Sequence, residues 1–287
     1  MIAHVRRLTA LAALCSLGAA ALTACGGAER GAPAEPTTAV RPTGSPSPSG
    51  PPTLAPGPAG LAPVFKNGPR DHGKTVALTF DADMTADQGP RAAGGERFDN
   101  PQLIDTLRRL KVPSTVFMTG RWAEEYPDQA KAIGTDPLFE VANHSYSHHA
   151  FTSRCYGLPA VAPEKMRADV ERAFTAFRKA GITHPAPYFR FPGGCYDRAA
   201  LRRVAPAGVT AVQWDVVSGD AFATDADAVA QEVLRGVKPG SVVVLHCTRS
   251  AAPATERAIR TVVPELRERG YRFVQVSELI GASAGRN

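Results

Sequence analysis

The chain lacks an apolar run of membrane-spanning length. Its first apolar stretch, residues 8–22, stops short of the ~20 residues that a spanning helix needs. Basic residues are scattered rather than clustered, which argues against nucleic acid as a partner. There is no internal repeat, so the fold is not a solenoid. Cysteine is scarce, five in 287 residues. No glutamate follows His144 in the spacing His144-x-x-x-His148, so this is not the zinc-peptidase helix in which that glutamate acts as base.

What is present falls into three parts. Residues 1–24 read as a secretory signal, with Arg6 and Arg7 as its positive region, the apolar stretch next, and small residues before Cys25. That ending resembles a bacterial lipobox, so Cys25 is the expected lipidation site. The chain is then expected outside the cytoplasm, held on the outer face of the membrane by its N-terminal lipid. Residues 25–66 read as a flexible linker, with ten prolines between Gly26 and Val64 among Gly, Ala, Ser and Thr. Such a stretch has too little apolar surface to offset its ordering entropy. At ~3.1 Å per residue it reaches roughly 100 Å. Residues 67–287 are long enough for one α/β domain, expected as a monomer. The formal net charge of +6 falls to +4 once Arg6 and Arg7 leave with the signal, a mild excess compatible with anionic wall polymers.

The remaining cysteines are Cys155, Cys195 and Cys247, so an exported domain can form at most one internal bridge from them. Cys155 follows the loop of His144 and His148, and Cys195 follows the loop opened by Arg190. Cys155–Cys195 is therefore the expected pair. Cys247 follows a buried strand and is expected as a packed thiol.

Within the domain, apolar runs of strand length alternate with amphipathic stretches. Strands are expected at 75–80, 114–118, 138–142, 188–191, 209–217, 241–245 and 271–276. Helices are expected after Asp99 or Asn100, and over 121–133, 163–180, 197–204, 225–235 and 253–269. Alternation with short loops argues for a parallel barrel or sheet with right-handed crossovers. Chemistry-bearing residues collect just past the strands: Asp81 and Asp83, His144 and His148, Arg190, Asp220, His246. That is where a parallel α/β fold assembles its active site. Two histidines and a carboxylate form the ligand set of a catalytic zinc or similar ion. A second carboxylate can act as base and a separate histidine as acid, the apparatus of metal-assisted hydrolysis of an amide or ester.

These residues resemble the polysaccharide deacetylases of the NodB-homology type, carbohydrate esterase family four. The likeness runs from about Lys74 to Ile280. Residues 79–83, Thr-Phe-Asp-Ala-Asp, resemble the family's Thr-Phe-Asp-Asp-Gly; residues 144–148 fit its His-Ser/Thr-x-x-His; residues 190–194 resemble Arg-x-Pro-x-Gly. Residues 214–220 match a fourth motif in part, and Leu245-His246 a fifth. The resemblance implies a distorted parallel (β/α) barrel of about seven strands, and metal-dependent removal of N-acetyl groups from an extracellular or cell-wall polysaccharide. It implies Asp81 as base, His246 as acid, Arg190 orienting Asp81, and Asp220 pairing with His246. His144 and His148 become ligands of a divalent metal, most simply zinc, with cobalt an alternative. Leu245 takes the acetyl-methyl pocket, with Cys195, Tyr196 and Trp214 beside it.

Two departures matter. Ala82 stands where the family has a metal-binding aspartate, and Asp83 where it has glycine. Either Asp83 takes over as ligand, which is the preferred reading, or histidines and water hold the metal. Val217 and Ala221 replace an aspartate and a tryptophan of the fourth motif. Other readings are an O-acetyl esterase on acetylated polysaccharide and a catalytically dead, glycan-binding barrel.

Overall fold

Strands and helices alternate along most of the chain, and every strand pair is parallel. In this computed structural model residues 50–284 are described; the signal sequence, Cys25 and residues 25–49 of the expected linker lie outside them. The order is β1 (Val64–Phe65), β2 (Thr75–Ala82), α1 (Gln88–Ala93), α2 (Pro101–Arg109), β3 (Ser114–Met118), α3 (Gly120–Glu125), α4 (Pro127–Gly134) and β4 (Phe139–Asn143). Then come α5 (Met166–Lys179), β5 (Tyr188–Phe189), α6 (Arg198–Val204), β6 (Thr210–Val212), β7 (Val216–Val217), α7 (Ala226–Gly236), β8 (Ser241–His246), α8 (Thr255–Glu268), β9 (Arg272–Phe273) and α9 (Val276–Ala284).

The sheet runs β1-β6-β5-β4-β3-β2-β8-β7, with β9 beside the start of β2. Among the described residues it has nine strands, two more than the sequence suggests, and it curls into an open, distorted barrel. Successive side chains of a strand point to opposite faces, and here the two faces carry different cores. On β2, Phe80 and Ala82, followed by Met84, join the cluster that packs the sheet against α2, α3, α7 and α8. Ala77 faces the barrel interior with Phe65, Phe117, Ala142, Tyr188, Val212 and Val242. Leu279 and Ile280 of α9 belong to that interior cluster, and α9 touches β2.

Several boundaries differ from the sequence reading, each for a local reason. The linker does not extend to residue 66. The Tyr188 hydroxyl donates to the Pro52 carbonyl at 2.7 Å, and β1 pairs with β6. Phe65 is buried in the interior, which contributes about 2–3 kcal/mol towards ordering this proline-rich strap. Gly240 makes the close approach that seats the segment after β1. At φ 77° it donates to Thr75 at 2.7 Å and accepts from Gly68 at 2.8 Å, and a Cβ there would lie 2.7 Å from the Gly68 oxygen.

The expected strand 209–217 is two short strands at different places in the sheet, β6 beside β1 and β7 beside β8. The expected helix 121–133 divides at Pro127, which lacks the N–H to continue a helix but starts a new one well. The expected last strand shortens to β9, and Val276 instead begins α9. Asn100, not Asp99, caps α2 by accepting from Leu103. Asp99 is buried in an ion pair with Arg97.

Candidate active site

The carboxyl ends of β2, β4, β5 and β8 deliver the charged side chains. Because β2 alternates, Asp81 and Asp83 share the inward face while Ala82 faces the outer core, fully buried. Asp81 is buried, and its Oδ1 accepts from Arg190 Nη1 at 2.6 Å. Its Oδ2 lies 3.6 Å from His144 Nε2. Arg190 is also fully buried. Its guanidinium lies 3.8 Å from the Phe117 ring centroid and 5.4 Å from that of Trp214, and its Nε donates to the Val212 carbonyl at 3.3 Å. Burial works against the charge of Arg190, and its ion pair with Asp81 opposes that; burial prevails and lowers its pKa.

The loop after β4 coils tightly. Ser145 and His148 adopt φ of 70° and 56°, positions that cost non-glycine residues about 1–3 kcal/mol. Side-chain brackets offset that cost. The Asn143 Oδ1 accepts from the Ser145 N–H at 2.8 Å, the Ser145 hydroxyl accepts from the His148 N–H at 2.9 Å, and Asp169 accepts from the Tyr146 N–H at 2.8 Å. The loop sets the two imidazoles 5.0 Å apart. His144 Nδ1 lies 2.9 Å from the Arg190 carbonyl. A carbonyl can only accept, so Nδ1 carries a proton and donates, which leaves Nε2 as the ring atom turned towards Asp81. His148 Nε2 lies 3.6 Å from Asp83 Oδ2. Burial pushes the His148 pKa down to about 4 against the pull of Asp83, so the ring is neutral at pH 7. Burial would raise the Asp83 carboxyl, but His148, His246 and the Thr248 hydroxyl outweigh it and hold the group below its ordinary value.

At β8, His246 pairs in register with Asp81. Asp220 accepts four hydrogen bonds: from His246 Nδ1 and the Ser218 hydroxyl on Oδ1, both at 2.8 Å, and from the His246 N–H and the Thr255 hydroxyl on Oδ2, both at 2.7 Å. Burial opposes a charged His246, but the bond to Asp220 and that carboxylate's charge prevail, and the pKa is pushed up to about 10. Burial likewise opposes a charged Asp220, and the same bonds hold its carboxyl below the usual range.

Cys155 and Cys195 form a disulfide with Cα atoms 5.9 Å apart, joining the histidine loop to the Arg190 loop. Cys247 is buried, and burial pushes its thiol up to about 12. The Trp214 ring packs on Gly194, beside Arg190. The Tyr196 ring stacks on Phe191 at 5.4 Å, in the outer cluster near α6. Leu245 needs correction as a pocket residue. It is fully buried and faces the outer core with Phe80, its neighbour across the strands. Alternation puts Val244, not Leu245, on the face shared with His246. Sequence reasoning missed Ser218, Thr255 and Thr248; the signal for Thr248 is its place two residues beyond His246.

Among the described residues no three His, Cys, Asp or Glu side chains converge as a ready ligand set. The donors nonetheless fit a divalent cation in their chemistry. The Asp83 carboxyl favours its anion, His148 is neutral, and the bond at His144 Nδ1 orients that ring so that Nε2 faces the site.

The model of the polysaccharide deacetylase family matches residues 68–212. A chitooligosaccharide deacetylase from Bradyrhizobium sp. is 28% identical over 215 residues, covering 71% of this chain and 92% of that protein. A peptidoglycan-N-acetylglucosamine deacetylase from Bacillus cereus is 30% identical over 210 residues, covering 72% and 88%. Among solved structures, a peptidoglycan N-acetylglucosamine deacetylase bound to a naphthalenyl N-oxidanyl-benzamide superposes with a TM-score of 0.63 at 25% identity, over 76% of this chain and 92% of that one. A carbohydrate esterase family four pseudoenzyme from Bacillus anthracis gives 0.62 at 24% identity, over 79% and 70%. On the family match and the extent of these likenesses, the chain belongs to the polysaccharide deacetylase family.

Proposed function

We propose that this chain hydrolyses N-acetyl groups on an extracytoplasmic glycan, with Asp81 as base and His246 as acid. One observation carries the reading: a carboxylate clamped by a buried guanidinium stands in register beside a histidine held charged by a second carboxylate. A carboxylate and a charged histidine set side by side can divide base and acid work between them.

Arg190 fixes the rotamer of Asp81 through Oδ1 and leaves Oδ2 free to take the proton of an attacking water. Asp220 grips His246 at Nδ1 and at its backbone N–H, so the Nε2–H is the proton available to the leaving amine. The amide C–N bond breaks, acetate leaves, and the amine stays on the sugar. Asp83, His144 and His148 would hold a divalent cation, zinc or cobalt. When bound, such an ion polarises the carbonyl as a Lewis acid and lowers the pKa of water. Both curated relatives are named for amide substrates, which favours an amide over an ester. Residues 1–24 serve as signal and Cys25 as lipid anchor on the outer face of the membrane, with residues 25–51 as the tether.

The test is acetate release from N-acetylated chito-oligomers, peptidoglycan and acetylated xylan, with metal content measured by elemental analysis. The expected result is release from the amide substrates and near one metal per chain. Asp81→Asn should keep the metal and lose about 10²–10⁴ in rate. His144→Ala with His148→Ala should lose both. Turnover by Asp81→Asn at the parent rate would overturn the base assignment, and no metal with no acetate from the parent chain would overturn the hydrolase reading.

A further inference from the structure

We propose that Thr248 is a positioning residue for Asp83, and that it lets this chain present a carboxylate to a cation from residue 83 when the side chain at 82 is committed to the core. The inference rests on the reading of Asp83 as a ligand. The need for a positioning device follows from β2. Asp83 lies beyond the last strand residue, where no ladder bond fixes its backbone. A carboxylate there has free rotamers, and a ligand that must be ordered at the moment of binding loses affinity.

Thr248 supplies the missing constraint. Its Oγ1 accepts from the Asp83 N–H at 3.3 Å, while its hydroxyl hydrogen is directed at Asp83 Oδ1. One hydroxyl thus holds both the backbone and the carboxylate of the same residue, which fixes the side chain between them. Oδ1 is occupied by this bond, and Oδ2 is the oxygen that stands 3.6 Å from His148 Nε2. Thr248 itself is anchored: it is buried, and its carbonyl accepts from the Ala251 and Ala252 N–H groups at 3.1 and 2.8 Å. Those turn bonds use the backbone alone. Among the described residues every hydrogen bond of the Thr248 hydroxyl goes to Asp83, so the hydroxyl is committed to that residue. A ligating carboxylate held by a hydrogen-bond donor is the usual outer-shell arrangement of a metal site.

The experiment is a Co²⁺ titration of the metal-free chain followed by visible absorption, on the parent, Thr248→Val, Thr248→Ser, Thr248→Ala and Asp83→Ala, with circular dichroism as a folding check. Valine keeps the shape and removes the hydroxyl; serine restores the hydroxyl without the methyl. The expected result is Co²⁺ affinity lower by about 10- to 100-fold in Thr248→Val, with a changed absorption band. Thr248→Ser should return to within about 3-fold of the parent, and Asp83→Ala should show the greatest loss. Thr248→Ala replaces the valine variant if that one unfolds. Parent-like Co²⁺ binding by a folded hydroxyl-free variant, together with loss in Asp83→Ala, would overturn the role of Thr248 alone. Parent-like binding by Asp83→Ala would overturn the ligand assignment beneath it.

Discussion

The replacement Asp220→Asn isolates the cause of the charge on His246. Asp220 receives two donors on each oxygen. An amide can accept on one side only, and its NH₂ then confronts two donors. Breaking a buried charge pair in this way costs about 3–5 kcal/mol. With Asp220 ionised, the His246 pKa is about 10 against an ordinary histidine value of 6.5. Without it, burial remains, opposed by the more distant Asp83 and Asp81, and the pKa falls by several units. At pH 8 a pKa of 10 leaves the ring about 99% protonated, whereas 6.5 leaves about 3%, a loss of roughly 30-fold in the acid form.

The sign for stability follows from the same shifts. His246, raised in the folded state, contributes stability that is full below pH 6.5 and is lost as pH rises through 10. Asp220, lowered in the folded state, contributes above 3.8 and loses it as pH falls through the depressed folded value. The parent is therefore most favoured by this pair between those limits, and Asp220→Asn should show a flatter dependence. The assay is an NMR titration of the His246 ring in metal-free protein, assigned with His246→Gln, beside urea unfolding at pH 6, 8 and 10. A ring that still titrates near 10 in folded Asp220→Asn would refute Asp220 as the cause.

Three further outcomes are expected. Ala82→Asp buries an unpaired carboxylate in the outer core and should cost about 3 kcal/mol or more, lowering Tm by roughly 10 °C; an unchanged Tm with tighter metal binding would show that residue 82 faces the site. Leu245→Ala should cost about 2–5 kcal/mol in urea unfolding while the folded fraction keeps its kcat/KM, and a raised KM at unchanged stability would restore Leu245 to the pocket. Replacing Cys155 and Cys195 by serine opens a loop of sequence separation 40 and should cost about 4 kcal/mol by loop entropy; a urea midpoint equal to the parent's would contradict this.

The site was legible where chemistry is local. His144 and His148 lie within one loop, and Asp81, Arg190 and His246 each end an apolar run or open a glycine turn. What stayed hidden depends on which way a side chain faces and on who its distant neighbours are. The pattern around Leu245 shows a buried strand, but a fully apolar strand carries no mark of which residues face inward, and Val244 and Leu245 exchange roles with one step of register. Thr248 has no motif of its own; its meaning comes from Asp83, 165 positions away. The strap failed for a compositional reason. Proline and glycine gave residues 52–65 the signature of a free linker, yet a few apolar side chains, Leu54, Leu61 and Phe65, are enough to seat it. The run 209–217 hid a break because Val212 and Val216 are equally strand-like, and only their pairing partners differ.

The strap also determines where mechanical load enters the domain. Pro52 is held by Tyr188, Leu54 by Thr210, and β1 by β6, and Tyr188 and Thr210 are the first residues of β5 and β6. Tension applied at residue 50 therefore enters at the amino ends of these strands and is shared between two of them. Asp81, His144 and His246 sit at the carboxyl ends of theirs. A ligand drawn into the site and a pull on the strap would thus act on opposite ends of the same barrel.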